Sequence, residues 1–171
     1  MLIIMDKVFI SIGSNLGDKE AYCRKAVEEI AAFSDIVKLS SLYETEPVDN
    51  QDQPNFINAA AEISTDYSPH DLLCKLNIIE KKLGRVRSEK YGPRTIDLDI
   101  IFYGDLIIED DILVIPHPRA HLRKFVLAPI CEIAPLLIFP GFGASISVVL
   151  HQIKDKGNVL KLHRPFTVFQ Q

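Results

Sequence analysis

Long apolar runs are missing from this sequence of 171 residues. The apolar stretch at residues 2–4 is followed at once by Met5, Asp6 and Lys7, so it is too short for a signal sequence. No later segment is as long as a membrane span. We therefore expect a protein that makes no membrane contact and resides in the cytoplasm. Its composition, 47% apolar and 25% charged, is typical of a globular fold, and its length indicates one domain.

Three further features are absent, and each absence excludes a class of protein. Cys23, Cys74 and Cys131 lie far apart without metal-ligand spacing, so we expect reduced core thiols rather than disulfides or zinc ligands. The formal net charge is −4, which argues against a general nucleic-acid binder, and any anion site must be a local basic cluster. The stretch GSNLG lacks the Gly-Lys-Ser/Thr ending of a Walker loop, and we interpret it as a turn and helix cap.

Two hydrophobic patterns follow one another along the chain. Alternating patterns predict strands at residues 8–13, 37–44, 56–65 and 97–103. Helical stripes follow the N-cap candidates Asp18 and Ser68, and Pro69 and Gly84 suit the start and end of the second helix. The order strand, helix, strand, strand, helix, strand predicts a ferredoxin-like plait of the α+β class. This fold is an antiparallel sheet with both helices on one face and the active site on the other. Two further helices are expected at residues 126–133 and 145–154.

The stretch YGPRTIDLDI carries two carboxylates in a segment that otherwise has the pattern of a buried strand. Residues two apart on a strand point the same way, roughly 6.5–7 Å from each other. Asp97 and Asp99 therefore share one face, where such a pair can hold magnesium against a polyphosphate. Two alternatives stay open at this point: a solvated strand face, and two salt bridges.

A basic cluster precedes this strand in an otherwise acidic protein. Its members are Lys81, Lys82, Arg85, Arg87, Lys90 and Arg94. Guanidinium groups beside metal-binding carboxylates are what a triphosphate requires, so the cluster favours phosphate chemistry. Phe56 and Asn58 share one strand face, and with Phe125 they could form a slot for a flat heterocycle; taken alone, either ring could equally be a core residue.

Six stretches together resemble one known family. The stretches are ISIGSNLGD, SSLYETEPV, QDQPNFINAA, EKKLGRVR, KYGPRTIDLDII and IPHPRAHLRKFVLAPICEIAP. They are similar, in the family's order, to 6-hydroxymethyl-7,8-dihydropterin pyrophosphokinase. The resemblance covers about residues 8–153. It implies transfer of pyrophosphate from ATP to the pterin hydroxymethyl group, with AMP as the other product, in folate biosynthesis. It also implies a domain over residues 7–154 and a C-terminal extension or linker over residues 155–171.

The resemblance also implies roles for individual residues. Asp97 and Asp99 would hold two Mg²⁺ ions and, with Arg87 and Arg94, form the catalytic set. ATP, the co-substrate, would be bound by Asn77, Glu80, Arg87, Arg94, Ile100, His117 and Arg123. The pterin would be bound by Thr45, Val48, Phe56, Asn58, Asp97 and Phe125.

The expected partners are these small molecules, with a later folate-pathway enzyme adjacent to the domain or fused to it. Two rival interpretations are a regulatory small-molecule binder of the same fold and a nucleotidyltransferase, which would release pyrophosphate.

Overall fold

The computed structural model describes residues 6–48, 52–86, 92–155, 157–163 and 166–167. The helices are α1 Lys19–Ala31, α2 Pro69–Lys82, α3 Lys124–Ile133 and α4 Ile146–Gln152, with a 3₁₀ turn at Ala120–Leu122. The strands are β1 Asp6–Ser14, β2 Asp35–Leu39, β3 Tyr43–Thr45, β4 Phe56–Thr65, β5 Asp97–Tyr103, β6 Ile108–Glu109, β7 Val114–Ile115 and β8 Val159–Lys161.

The main sheet is antiparallel and has the strand order β5-β1-β4-β3-β8. β2 also pairs with β4, along the half of β4 that β3 leaves uncovered. The strand predicted at residues 37–44 is therefore interrupted. At the interruption, the Ser40 hydroxyl accepts a hydrogen bond from the Ala60 amide at 2.8 Å. The order of helices and strands is that of the predicted plait.

Local signals in the sequence fix where the first two helices begin. The Asp18 carboxylate accepts a hydrogen bond from the Ala21 amide at the start of α1. Ser68 caps α2 in the same way, with Pro69 at the first helical position, and Gly84 follows the helix with a φ of 82°. These caps satisfy amides that the first turn of a helix leaves without partners.

Two hydrophobic cores lie on opposite faces of the sheet. The helix-side core packs α1 and α2 against alternate residues of β4, namely Ile57, Ala59, Ala61 and Ile63, as the sequence predicts. The second core packs α3 and α4 against Phe9, Ala60 and Phe102 on the other face. These helices therefore cover part of that face, and a ligand can occupy only the part that they leave uncovered.

The chain after α4 returns to the sheet. β8 pairs with β3, and the Leu162 amide donates to the Leu42 carbonyl at 2.8 Å. Phe166 is 7% exposed and belongs to the helix-side core, where Arg24 lies over its ring. The domain boundary predicted at residue 154 stays a prediction, but residues on both sides of it pack on one sheet.

All three cysteines are free. Cys23 is buried, whereas Cys74 is exposed on α2, so the prediction of a core thiol is wrong for Cys74. Among the described residues, no helix combines the length and the apolar character needed to cross a membrane.

Candidate active site

A pocket opens where the second core ends, above the middle strands of the sheet. Its empty space, including the open mouth, is about 570 Å³. The pocket brings together most of the residues that the sequence singles out: Thr45, Val48, Phe56, Asn58, Arg94, Asp97, Asp99, Arg123 and Phe125. The predicted pterin and metal residues therefore converge on one space.

Strand register sets the spacing of polar groups on the pocket floor. Gly13 of β1 lies directly opposite Asn58 on one side and Asp97 on the other. Ser11, two residues earlier, pairs in the same way with Asp99. A Cβ atom on Gly13 would lie 2.8 Å from Asn58 Oδ1, so only glycine leaves room for this amide. Gly13, which has no side chain, thus stands between Asn58, predicted to bind the pterin, and Asp97, predicted to bind a metal.

A hydrogen bond to the neighbouring strand holds the side-chain amide of Asn58 in place. Asn58 is 2% exposed, and its Nδ2 donates to Thr45 Oγ1 at 2.6 Å. Phe56, two residues earlier on β4, and Phe125 from α3 line the same pocket. The guanidinium carbon of Arg123 lies 5.5 Å from the ring centroid of Phe125. A flat heterocycle between the two rings would meet a fixed polar edge at its end.

The two aspartates differ in their surroundings. Arg85 Nη1 lies 2.5 Å from Asp97 Oδ1, and Arg94 Nη1 lies 3.4 Å from Asp97 Oδ2. Burial, together with the charges of Asp97 and Glu80, raises the pKa of Asp99 to about 7. The charge of Asp97 therefore opposes ionisation of Asp99, and a bound cation would relieve that repulsion.

The carboxylate pair fits magnesium better than a closed metal cage. Within the described ranges, no three side chains of His, Cys, Asp and Glu form a group that could hold a metal. Magnesium often takes one or two carboxylates and fills its other positions with water and phosphate oxygens. Asp97 and Asp99 supply such a pair at the pocket floor.

Buried Glu80 and half-buried Arg85 form an ion pair next to Asp97. Glu80 is 4% exposed, accepts from the Leu98 amide at 2.8 Å and forms a salt bridge with Arg85. Burial lowers the pKa of Arg85, but Asp97 and Glu80 outweigh it and raise that pKa overall. The predicted nucleotide residue Glu80 thus orients an arginine that in turn contacts a predicted metal ligand.

Several predicted nucleotide residues do not line this pocket in the described part of the chain. Ile100 is 3% exposed in the helix-side core, so only its backbone could reach a ligand. Asn77 is half-buried on α2, and Arg87 lies outside the described residues. Their nucleotide contacts stay predictions.

His117 is uncharged at neutral pH. Burial, together with Arg123 and Arg119, lowers the pKa of His117 to about 4. Its Nδ1 accepts from the Arg119 amide at 3.2 Å, which leaves Nε2–H as a donor. His117 would therefore meet a nucleotide as a neutral donor rather than as a cation.

Comparison with known proteins decides the family. Residues 9–135 match the family model of 7,8-dihydro-6-hydroxymethylpterin-pyrophosphokinase (HPPK). The chain belongs to the HPPK family. It is 48% identical over 128 residues to 2-amino-4-hydroxy-6-hydroxymethyldihydropteridine pyrophosphokinase of Bacillus subtilis, covering 73% of this chain and 76% of that one. The predicted family is thereby confirmed, and with it the family's reaction, pyrophosphoryl transfer to hydroxymethyldihydropterin in folate synthesis.

Longer HPPK relatives contain this domain as one part. The folic acid synthesis protein fol1 of Pneumocystis carinii is 44% identical over 151 residues, which are 88% of this chain but 20% of that protein. The crystal structure of a Plasmodium falciparum HPPK-DHPS variant matches with a TM-score of 0.69 at 15% identity, over 86% of this chain and 44% of that one. The second match confirms the predicted fold.

Sequence reasoning missed several residues of this HPPK site. The sequence marks Arg85 only as one member of a basic cluster, Gln53 only as part of the stretch QDQPNFINAA, and Gly13 only as the end of a strand. Asn15 lies in the stretch that we interpreted as a turn and helix cap. The approach of Gly13 to Asn58, and the ion pair of Arg85, depend on contacts between distant segments that periodicity does not reveal.

Proposed function

We propose that this chain catalyses the HPPK reaction in the described pocket, with two Mg²⁺ ions held by Asp97 and Asp99. The observation that carries the proposal is the convergence, in one pocket, of a carboxylate pair and two aromatic rings that each have an arginine beside them. The carboxylates suit a metal–triphosphate complex, and the rings suit a flat acceptor.

The reaction requires positioning more than covalent chemistry from the protein. The hydroxymethyl oxygen forms a bond to the β-phosphorus, and the bond from that phosphorus to the oxygen shared with the α-phosphate breaks. AMP leaves with that oxygen, and the hydroxyl proton passes to solvent. Magnesium, when bound, neutralises charge on the triphosphate and aligns its oxygens with the acceptor.

The chain's own residues hold the two substrates in line. Phe56 and Phe125 would stack on the pterin ring while Asn58 pairs with its edge. Arg94, already beside Asp97, would donate to the triphosphate, and Arg87 is proposed to do the same. Thr45 keeps the Asn58 amide in one orientation through its hydroxyl.

Three wider expectations stay proposals. A cytoplasmic location is one, and small-molecule substrates without a nucleic-acid partner are another. The third is a later folate-pathway enzyme adjacent to this domain or fused to it, which the HPPK-DHPS chain of P. falciparum supports.

Product analysis tests the proposal. The protein is incubated with ATP, Mg²⁺ and 6-hydroxymethyl-7,8-dihydropterin, and the nucleotides and pterins are then separated. We expect AMP and pterin diphosphate in equal amounts. Free pyrophosphate with a nucleotidyl-pterin would indicate a nucleotidyltransferase, and intact ATP with bound pterin would indicate a binding module.

Variants of the carboxylates test the metal assignment. Asp97→Asn and Asp99→Asn keep the side-chain shape but remove the charge, and we expect each to abolish turnover with the fold intact. Asp105→Asn is the matched control, because Asp105 is an exposed aspartate in the turn just after the same strand. Activity of Asp97→Asn at the level of the control would overturn the assignment.

A further inference from the structure

The C-terminal segment (residues 155 and 157–161) contacts both ends of α3. At the start of the helix, Asp155 Oδ2 accepts a hydrogen bond from the Lys124 amide at 3.2 Å. In its last turn, Glu132 Oε1 accepts a hydrogen bond from Lys161 Nζ at 2.9 Å. One short segment therefore holds this helix at its beginning and at its end.

The carboxylate of Glu132 also joins α3 to β3 and the residues just before it. It accepts hydrogen bonds from the Ser41 amide at 3.1 Å, from the Ser41 hydroxyl at 2.8 Å and from the Tyr43 hydroxyl at 2.8 Å. Burial raises the pKa of Glu132, but the hydrogen bonds from Lys161, Tyr43 and Ser41 outweigh it and lower that pKa overall. The group that Lys161 contacts is therefore a charged carboxylate at neutral pH.

The helix lacks one internal hydrogen bond next to Phe125, so these outside contacts matter more. Pro129 lies inside α3 and has no amide proton. The bond that residue 129 would donate to the Phe125 carbonyl in a regular helix is therefore missing. Residues seven apart lie on the same face of a helix, here about 10 Å from each other along the axis. Contacts that fix Glu132 therefore fix the face that carries Phe125.

β3 and β4 carry the residues that Phe125 must face. Tyr43, which donates to Glu132, lies directly opposite Asn58 in the sheet. Phe56 stands two residues before Asn58 on β4, and β8 of the C-terminal segment pairs with β3. The segment is thus bonded both to the helix that carries one ring of the pocket and to the sheet that carries the other.

We propose that the C-terminal segment is a positioning element of the active site. Asp155 and Lys161 fix α3 so that Phe125 is held in the position in which it stacks on the pterin. The match to the HPPK family model ends at residue 135, so this role lies outside the part of the chain that the family model covers. The inference rests on the proposed function, since it assigns Phe125 to the pterin.

Binding measurements without turnover test the effect on the pterin. The dissociation constant of 6-hydroxymethylpterin is measured by calorimetry with Mg²⁺ and saturating α,β-methylene-ATP, which cannot react because carbon replaces the oxygen at the bond that breaks. In Asp155→Ala and in Lys161→Met we expect this constant to rise about three- to tenfold, the value of one hydrogen bond. In Lys161→Met the dissociation constant of the analogue should stay at the wild-type value, because Lys161 does not line the described pocket.

Glu29→Gln is the matched control. Glu29 also pairs with a lysine, accepting from Lys82 Nζ at 2.6 and 2.8 Å, and its side chain is 33% exposed, against 25% for Glu132. This ion pair joins α1 to α2, on the other face of the sheet from α3. Its loss should leave the dissociation constant of the pterin unchanged.

The surroundings of Phe125 are measured directly by ¹⁹F NMR of ligand-free protein labelled with 4-fluorophenylalanine. The chain has nine phenylalanines, and the resonance of Phe125 is identified by its absence from Phe125→Leu. We expect this resonance to shift in Asp155→Ala and in Lys161→Met and to stay in place in Glu29→Gln. This readout does not depend on whether the protein binds a pterin.

The outcomes distinguish this inference from the proposed function. A wild-type protein that binds no pterin would refute the proposed function, whereas the Phe125 resonance would still decide whether the segment positions α3. An unchanged Phe125 resonance in both Asp155→Ala and Lys161→Met would overturn the inference alone. So would a wild-type dissociation constant of the pterin in both variants. An equal rise of that constant in Glu29→Gln would also overturn it, since general stability would then be the cause.

Discussion

The guanidinium carbon of Arg94 lies 5.4 Å from the centroid of the Phe56 ring, and its Nη1 lies 3.4 Å from Asp97. One side chain thus contacts both a proposed pterin platform and a proposed metal ligand. Arg123 and Phe125, which line the same pocket, form a second cation–ring contact. A planar guanidinium can stack on a ring while its edge donates hydrogen bonds, which an ammonium group cannot do.

Arg94→Lys should therefore be a damaging substitution although it keeps the charge. We expect kcat/KM to fall by about 100-fold or more, because a lysine neither stacks on Phe56 nor forms paired hydrogen bonds to phosphate. Steady-state kinetics with both substrates measures the change. Arg24→Lys is the matched control. The guanidinium carbon of Arg24 lies 5.8 Å from the centroid of the Phe166 ring, and neither residue lines the pocket. Equal losses in the two variants would contradict this role for Arg94.

Gly13→Ala should weaken pterin binding. The added Cβ would meet Asn58 Oδ1 at 2.8 Å, so the amide must shift and lose the hydrogen bond that we propose it makes to the pterin. We expect the pterin KM to rise about tenfold, the value of one such bond, with little change in the KM for ATP. In an Asn58→Ala background the clash is absent, so the same glycine change should have little further effect. Simple additivity of the two changes would refute this explanation.

Leu160→Pro should loosen the edge of the sheet that carries Thr45. The Leu162 amide donates to the Leu42 carbonyl, and Leu160 lies opposite Glu44. Because every second pair in an antiparallel ladder is hydrogen-bonded, the Leu160 amide donates to the Glu44 carbonyl. Proline removes that donor, and we expect a loss of about 1–3 kcal/mol in the free energy of unfolding and a higher pterin KM.

Urea unfolding and steady-state kinetics measure the two effects of Leu160→Pro. The side chain of Leu160 is 61% exposed, so Leu160→Ala, which keeps the amide, should behave nearly as wild type. A pterin KM that stays at the wild-type value in a destabilised Leu160→Pro protein would show that β8 does not support the pocket.

The uncharged state of His117 predicts a pH dependence of stability. Its folded pKa of about 4 lies below the unfolded value of about 6.5, so the unfolded chain binds more protons between these values. This contribution to stability is complete above about pH 6.5 and is lost as the pH falls towards 4. We expect it to amount to about 1–3 kcal/mol.

Two measurements check this pH dependence. The titration of His117 by NMR in the metal-free protein should have a midpoint near 4. Urea unfolding of His117→Gln should lose less stability between pH 7 and pH 5 than the wild-type protein. A His117 midpoint at 6.5 or above would contradict the prediction.

Periodicity and capping signals predict most of the fold because they are local. Asp18, Ser68 and Pro69 act within one helical turn, and the alternation in β4 selects the face that meets α1 and α2. The same signals do not report which distant segment covers the other face. They therefore did not reveal that α3 and α4 pack against Phe9 and Phe102 on that face.

The residues of the site also fall into two groups, those that local spacing predicts and those that depend on distant partners. The spacing of Asp97 and Asp99 places both on one face of a strand, and the same rule places Phe56 beside Asn58. Arg85 and Asn15 act through partners far away in the chain, Asp97 for the first and Arg94 for the second. No local pattern marks such residues, because the sequence around them does not distinguish them from an ordinary exposed arginine or an asparagine in a turn.

The proposed pterin end of the pocket rests on two strands that are each bonded along both edges. β1 lies between β5 and β4, and β4 lies between β1 and β3. A competitive inhibitor that mimics the hydrogen-bonding edge of the pterin would therefore bind a rigid surface. Conformational flexibility of the inhibitor would add little to its affinity. If the proposed function is correct, we expect the same rigidity to limit resistance to such an inhibitor. Substitutions at Gly13, Thr45 or Asn58 that exclude such an inhibitor would disturb the natural acceptor through the same contacts, so escape would have to arise at the rim, where Val48 is 48% exposed.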